Sequence, residues 1–241
     1  MDNRANPLDL CVVIPVYNEA EIIGHVLGIW AEKLDRLGVV SEIHVYDDGS
    51  KDGSLAVIQN AAMRNPRIKV HDKPNSGHGP TILLGYRQNA HATWIFQTDS
   101  DNEIDHRHFD ELWASREEYD LLIGRRANRI THPSRQLISL VSRLVVRVCF
   151  GTGVDDVNVP FRLMRSAMYK TTYERIPDDT FAPNIIVAGE ATRRKLLIYQ
   201  TDVGYQFRTT GKVSIVGISL LKNVVKAFGQ VMAFRLMGGR H

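Results

Sequence analysis

"WIFQTDSDNE" (94–103) begins as an apolar run and ends among carboxylates. Asp99, Asp101 and Glu103 alternate there with small polar residues. Carboxylates this close repel one another unless water screens them or a cation lies between them. The apolar part, "TWIFQT" (93–98), has the length and composition of a buried strand. The acids therefore fall where that strand ends.

The neighbouring sequence repeats the arrangement. "LCVVIPV" (10–16), "EIHVYD" (42–47), "IKV" (68–70) and "DLLIG" (120–124) read as strands. Helical spacing covers 19–37, 52–65, 79–91 and 105–118, and the second of these helices stops at Asn65-Pro66. Strand–helix alternation with short links predicts an α/β fold on a mostly parallel, doubly wound sheet. Ligands bind such sheets at the carboxyl ends of the strands. Asp47 and Asp48 close one strand there, and Asp99 and Asp101 close another. Two carboxylates spaced i, i+2 at that edge suit a hard cation such as Mg²⁺ or Mn²⁺, shared with substrate phosphates. A solvated turn capping the next helix would also account for them.

Two further stretches bear on the same edge. "VYDDGSKDG" (45–53) places two acids and a glycine turn before a helix. That could hold a nucleoside, or Ser50 or Asp52 could simply cap the helix. "PNSGHGP" (74–80) puts Gly77 and Gly79 ahead of a helix, where backbone N–H groups can approach phosphate. The glycine spacing is not that of a dinucleotide fingerprint, and His78 reads as a turn residue.

The 241 residues are 44% hydrophobic, enough for one substantial core, so we expect a single domain over 1–241. Cys11 and Cys149 each lie in an apolar run and read as core residues, which suits a reducing compartment. No leader and no membrane span is visible. The net charge of +3 conceals a split: residues 1–120 carry −9 and residues 121–241 carry +12. Between Leu121 and Val154 there are six arginines and no acid. This pattern suggests one part that meets a cation and another that meets an anion. "VPFRLM" (159–164) reads as a strand, 184–195 as a helix and 196–207 as strands. The last element, 214–237, reads as a long amphipathic helix.

In order along the chain, "VVIPVYNE", "DDGSKDGS", "NSGHGP" and "TDSDNE" resemble an inverting family 2 glycosyltransferase of the GT-A fold. "IGRR", the Arg-rich stretch 134–149, "DVNVPFRLMRS" (156–166) and "FRTTGKVS" (207–214) are similar to polyprenyl-phosphate glycosyltransferases of the dolichol-phosphate mannosyltransferase type. The resemblance implies a nucleotide-sugar and metal half (1–125), an acceptor half (126–213) and an interfacial or oligomerisation helix (214–237). It implies that Pro15, Tyr17, Glu19, Asp47 and Asp48, together with Asp99, bind the donor. Asp99 and Asp101 would hold Mg²⁺ or Mn²⁺, with Glu103 where the family often has Gln. Arg125, Arg162, Arg208 and Lys212 would take the acceptor phosphate, and Asp99, Asp101 and Arg125 would serve catalysis. "RTTGKVS" departs from the usual Arg-x-x-Gly-x-Ser-Lys, and Pro160 replaces a glycine.

The expected partners are a nucleotide sugar, a polyprenyl phosphate and the inner face of a membrane, with no nucleic acid. The cytoplasm is the expected compartment, with the last helix lying flat on the bilayer or joining two copies. Two other functions fit less of the pattern. A transferase acting on a saccharide hydroxyl would need a carboxylate base, for which Asp155, Asp156, Asp178, Asp179 and Glu190 are available. A nucleotide-binding protein without catalysis would not need Asp99 and Asp101.

Overall fold

A computed structural model describes residues 8–126, 144, 147–151, 153–204 and 218–237, with side chains of the last stretch described from Val225 to Leu236. Its centre is a sheet whose strands are β1 (Leu10–Val16), β2 (Ser41–Asp47), β3 (Ile68–Asp72), β4 (Trp94–Thr98), β5 (Leu121–Arg126), β6 (Phe161–Arg165) and β7 (Ile198–Val203). The spatial order is β3-β2-β1-β4-β6-β5-β7. Every residue of β1 and β4 is buried, as in central strands covered on both faces, including Gln97 and Thr98 at the end of β4.

The helices are α1 (Ile23–Leu37), α2 (Ser54–Arg64), α3 (His78–Gln88), α4 (His108–Ser115), α5 (Lys170–Arg175), α6 (Pro183–Arg193) and α7 (Ile218–Met237). α1 buries Ile23, Val26, Leu27, Trp30 and Leu34 along one stripe and ends at Gly38, which takes the left-handed conformation. Beneath it Trp30 and Phe96 pack at a tilt and both meet Phe109 edge to face, joining α1 and α4 to the centre of the sheet.

Only β6 departs from the parallel pattern among these strands: it runs antiparallel to both β4 and β5. The consequence is functional. The start of β6 lies beside the end of β4, with Phe161 opposite Thr98. Residues 155–160 therefore arrive at the same edge as Asp99. β5 and β7 run parallel to each other and deliver Arg125, Arg126 and Asp202 there as well.

α5 was not expected from sequence, and several ends differ by a few residues. The sequence reading began α1 at residue 19, whereas Ile23 opens the helix, because residues 18–20 bond to the β2–α2 turn instead. Most of the Arg-rich stretch 134–149 lies outside the described residues. So do Arg208, Lys212 and the first four residues of the expected last helix.

Arg162 requires a correction. Its side chain is completely buried on β6. Its N–H groups donate to the carbonyls of Val157 (3.1 Å), Val159 (2.7 and 3.1 Å) and Asn184 (3.0 Å). Burial holds its pKa below the usual arginine value, although the hydroxyl groups of Tyr86, Tyr169 and Tyr173 and the charge of Asp156 oppose this. A guanidinium so placed braces the 157–160 turn and does not face an acceptor phosphate. Arg162→Met would leave these carbonyls without donors. We predict a loss of unfolding free energy of about 3 kcal/mol or more, measured by urea denaturation. A variant as stable as the wild type would contradict this role.

Candidate active site

The cleft opens between β1 and β4, where the strand order reverses. On the β1 side, the chain after Val16 is laced to the turn after β2. Asn18, at a φ of 55°, donates from its N–H to Ser50 Oγ (2.9 Å) and accepts from the N–H of Lys51 (2.8 Å). Glu19 N–H donates to Ser54 Oγ (2.8 Å) and Ala20 N–H to Asp52 (3.0 Å). Burial pushes the Asp52 carboxyl up, but hydrogen bonds from the Ser54 hydroxyl and from the N–H groups of Ala20 and Ser54 outweigh it and hold the group below the ordinary carboxylate range. The N-cap of α2 is Gly53 with no side-chain cap, so Ser50 and Asp52 do not cap the helix as the sequence suggested; with Ser54 they fasten two loops. Tyr17 stands exposed above them, and Pro15 is buried.

Asp47 and Asp48 have different tasks. Asp48 is almost buried, and its carboxylate accepts from Lys73 Nζ, Ser76 N–H (2.8 Å) and Gly77 N–H (2.9 Å). It fixes the 74–80 loop and has little left to offer a nucleoside. Asp47 accepts the N–H of Ser50 (3.0 Å) through one oxygen, while its other oxygen is buried with no partner among the described residues. Of the two, Asp47 retains hydrogen-bonding capacity.

Across the cleft, Asp99 follows β4 directly. It accepts from Gln97 Nε2 (3.1 Å) and has His78 Nε2 3.5 Å away. Its pKa is pushed up to about 7. Burial is the main cause and the Glu103 charge adds to it, against the pull of Arg126, Gln97 and Arg162. Asp101 accepts the N–H of Glu103 (3.1 Å), and Asn102 between them is left-handed at a φ of 54°. Thr98, Asp99, Asp101, Glu103, Arg126 and Pro160 share the lining of a cavity of about 170 Å³ that Val26 and Trp30 close from behind.

These residues fit a divalent cation. The donors are carboxylate oxygens, and a buried carboxyl held near neutrality would be stabilised in its charged form by a cation. Among the described residues no three His, Cys, Asp or Glu side chains form a closed metal site.

The rim beyond is a ladder of ion pairs. Arg125, half exposed, lies between Asp155 (3.0 Å) and Asp202 (2.6 Å), whose hydrogen bonds raise its pKa further. Arg126 grips Asp156 with two bonds, of 2.7 and 2.8 Å. Arg125 and Arg126 are neighbours on β5, so they point to opposite sides of the strand. The remaining carboxylates of the second half named above are also matched: Asp178 by Arg87, Asp179 by Lys226 (3.3 Å), and Glu190 by Arg193 (2.7 Å). Sequence reasoning missed Arg126, Lys73 and the nearness of His78 to Asp99. The doubled arginine of "IGRR" was the available signal for the first.

Comparison with known proteins accords with this geometry. The model of glycosyl transferase family 2 matches residues 11–188. The undecaprenyl-phosphate 4-deoxy-4-formamido-L-arabinose transferase of Proteus mirabilis is 28% identical over 190 residues, covering 78% of this chain and 57% of its own. A dolichyl-phosphate beta-glucosyltransferase of Trichomonas vaginalis is 23% identical, covering 86% of this chain and 66% of its own. The chain thus spans less than two thirds of the length of these relatives. Among solved structures, mannosyl-3-phosphoglycerate synthase from Rubrobacter xylanophilus superposes with a TM-score of 0.67 over 97% of this chain and 76% of its own, at 14% identity. Glucosyl-3-phosphoglycerate synthase from Mycobacterium tuberculosis, in complex with Mn²⁺, UDP and phosphoglyceric acid, gives 0.65 over 95% and 78%, at 17% identity. The shared GT-A architecture and the family match over most of the chain agree: this protein is a member of glycosyl transferase family 2.

Proposed function

We propose that the chain transfers a sugar from a nucleotide sugar to a polyprenyl phosphate, with inversion at the anomeric carbon. The observation that carries this reading is the pairing of the acceptor-half acids. Asp155, Asp156, Asp178, Asp179 and Glu190 are each matched to a cation. A hydroxyl acceptor needs a base to remove its proton. A phosphate oxygen is already anionic near neutral pH and needs only orientation. The named polyprenyl-phosphate relatives support the same choice.

The residues divide the work accordingly. The laced loops after β1 and β2, with Tyr17 and the buried, unmatched oxygen of Asp47, receive the nucleoside. Asp99 and Asp101 would hold Mg²⁺ or Mn²⁺, which when bound neutralises the leaving diphosphate. Arg125 stands at the rim, and contact with an acceptor phosphate would require it to exchange Asp155 or Asp202 for that anion. One C–O bond to the anomeric carbon forms from the phosphate as the bond to the diphosphate breaks. Glu103 and Arg126 set the charge around Asp99, from which they act with opposite sign.

With Mn²⁺, a labelled nucleotide sugar and undecaprenyl phosphate, label should pass into butanol. Asp101→Asn should lower the rate by about two orders of magnitude, and EDTA should abolish it. Label transferred only to a water-soluble saccharide would favour the hydroxyl-acceptor reading.

The same proposal puts the cleft at a membrane surface. Among the described residues no helix is long and apolar enough to cross a membrane. Gln230 and Lys226 of α7 both meet Asp179, Lys226 in a surface ion pair at 3.3 Å, and Gln230 also takes the N–H of Phe181 (2.9 Å). Val225, Phe228 and Leu236 face outward, and Leu144 and Val148 are exposed as well. Arg235 donates to the Cys149 carbonyl (2.9 Å), which brings that second apolar stretch against α7. Such a face suits the interfacial layer of a bilayer. Wild-type protein should float with anionic liposomes, and the Val225→Asp/Phe228→Asp double variant should remain in the dense fraction. Equal flotation of both contradicts this placement, and a dimer that does not float points to self-association instead.

A further inference from the structure

We infer that His78 donates a hydrogen bond from its imidazole to the diphosphate of the donor. The inference rests on the reading of Asp99 and Asp101 as the metal–diphosphate site. It adds a contact from the opposite wall of the cleft, from a residue that the sequence identified only as part of a turn.

The backbone on either side of His78 is fixed. Ser76 and Gly77 are held through their N–H groups by the Asp48 carboxylate. Gly77 has a φ of 97°, a conformation that favours glycine. On the other side, any Cβ at Gly79 would collide with the carbonyl oxygens of Phe181 and Thr180. The segment carrying those carbonyls is itself anchored by Gln230 of α7. His78 thus opens α3 from a braced position, and its side chain is 58% exposed toward the cleft.

Among the described residues the imidazole has no good acceptor. Its Nε2 lies 3.5 Å from Asp99 Oδ1, beyond the usual N–H···O range of about 2.7–3.2 Å. With hydrogen on Nε2 the ring turns a donor toward Asp99. A phosphate held with a cation at Asp99 and Asp101 would stand beside the Asp99 carboxylate, the group that His78 Nε2 already approaches. The first turn of α3 adds the positive end of its dipole on the same side. A phosphate group is the acceptor that this combination fits.

The test is calorimetric binding to the full chain in Mn²⁺, with UDP and GDP compared with UMP and GMP. His78→Ala should weaken binding of the preferred diphosphate about tenfold and leave the matching monophosphate within about twofold. His78→Gln, which restores an N–H donor, should recover most of the loss. Mn²⁺ binding without nucleotide should be the same in wild type and His78→Ala. Equal weakening of diphosphate and monophosphate, or no weakening at all, overturns the proposal. Loss of Mn²⁺ binding in the variant also overturns it, by making His78 a metal ligand. If the wild-type chain binds neither diphosphate with Mn²⁺, the metal–diphosphate reading fails and the His78 contact with it.

Discussion

The Asp48 carboxylate is the junction on which the cleft depends. A buried carboxylate must be matched by donors, and here Lys73 and the N–H groups of Ser76 and Gly77 supply them. One side chain at the end of β2 thereby sets the course of the 74–80 loop. The loop sets where α3 begins, and α3 sets where His78 meets Asp99. Lys73 also donates to Ser76 Oγ (2.8 Å) and Thr81 Oγ1 (3.1 Å), so the same cation joins the loop to the first turn of the helix. Gly49, with a φ of 72°, packs against the backbone N–H of Asn75 and leaves no room for a side chain. The close approach of the two loops therefore follows from glycine and aspartate in "DDGS".

A second constraint governs the opposite wall. Reversal of β6 brings the 155–160 turn against the end of β4, and the buried Arg162 secures that turn through backbone carbonyls. The turn then offers Asp155 and Asp156 to the two arginines ending β5. Charge in this part of the molecule is arranged in pairs, whereas the cavity beside Asp99 concentrates carboxylates and raises a proton affinity. A cation there would relieve the repulsion that the opening sequence stretch poses, and a diphosphate would complete its coordination.

Much of this was legible in the sequence because it rests on local patterns. The unbroken β-branched run of β1 and the acids at the ends of β2 and β4 predicted a doubly wound sheet and its ligand edge. The resemblance carried by the four ordered motifs named the family that the comparison bears out. What escaped depended on side chains brought together by the fold. "VPFRLM" announced a strand but not its direction, and a buried arginine looks the same in sequence as one that binds phosphate. Lys226 and Gln230 are spaced as a polar face of α7, and the fold gives that face a partner the spacing does not reveal, the 179–181 segment with its acceptors and N–H. Asp47 and Asp48 are adjacent in sequence and differ entirely in hydrogen bonding.

The central claim is that Asp99 and Asp101 share a divalent cation with the diphosphate of a nucleotide sugar. Crystals soaked with Mn²⁺ and a nucleoside diphosphate, measured near the manganese absorption edge, test it most directly. The account predicts one anomalous peak within about 2.5 Å of an oxygen of Asp99 or Asp101, joined to phosphate density on the side of His78. Nucleotide bound with its diphosphate away from these two carboxylates, and no anomalous peak beside them, would contradict it.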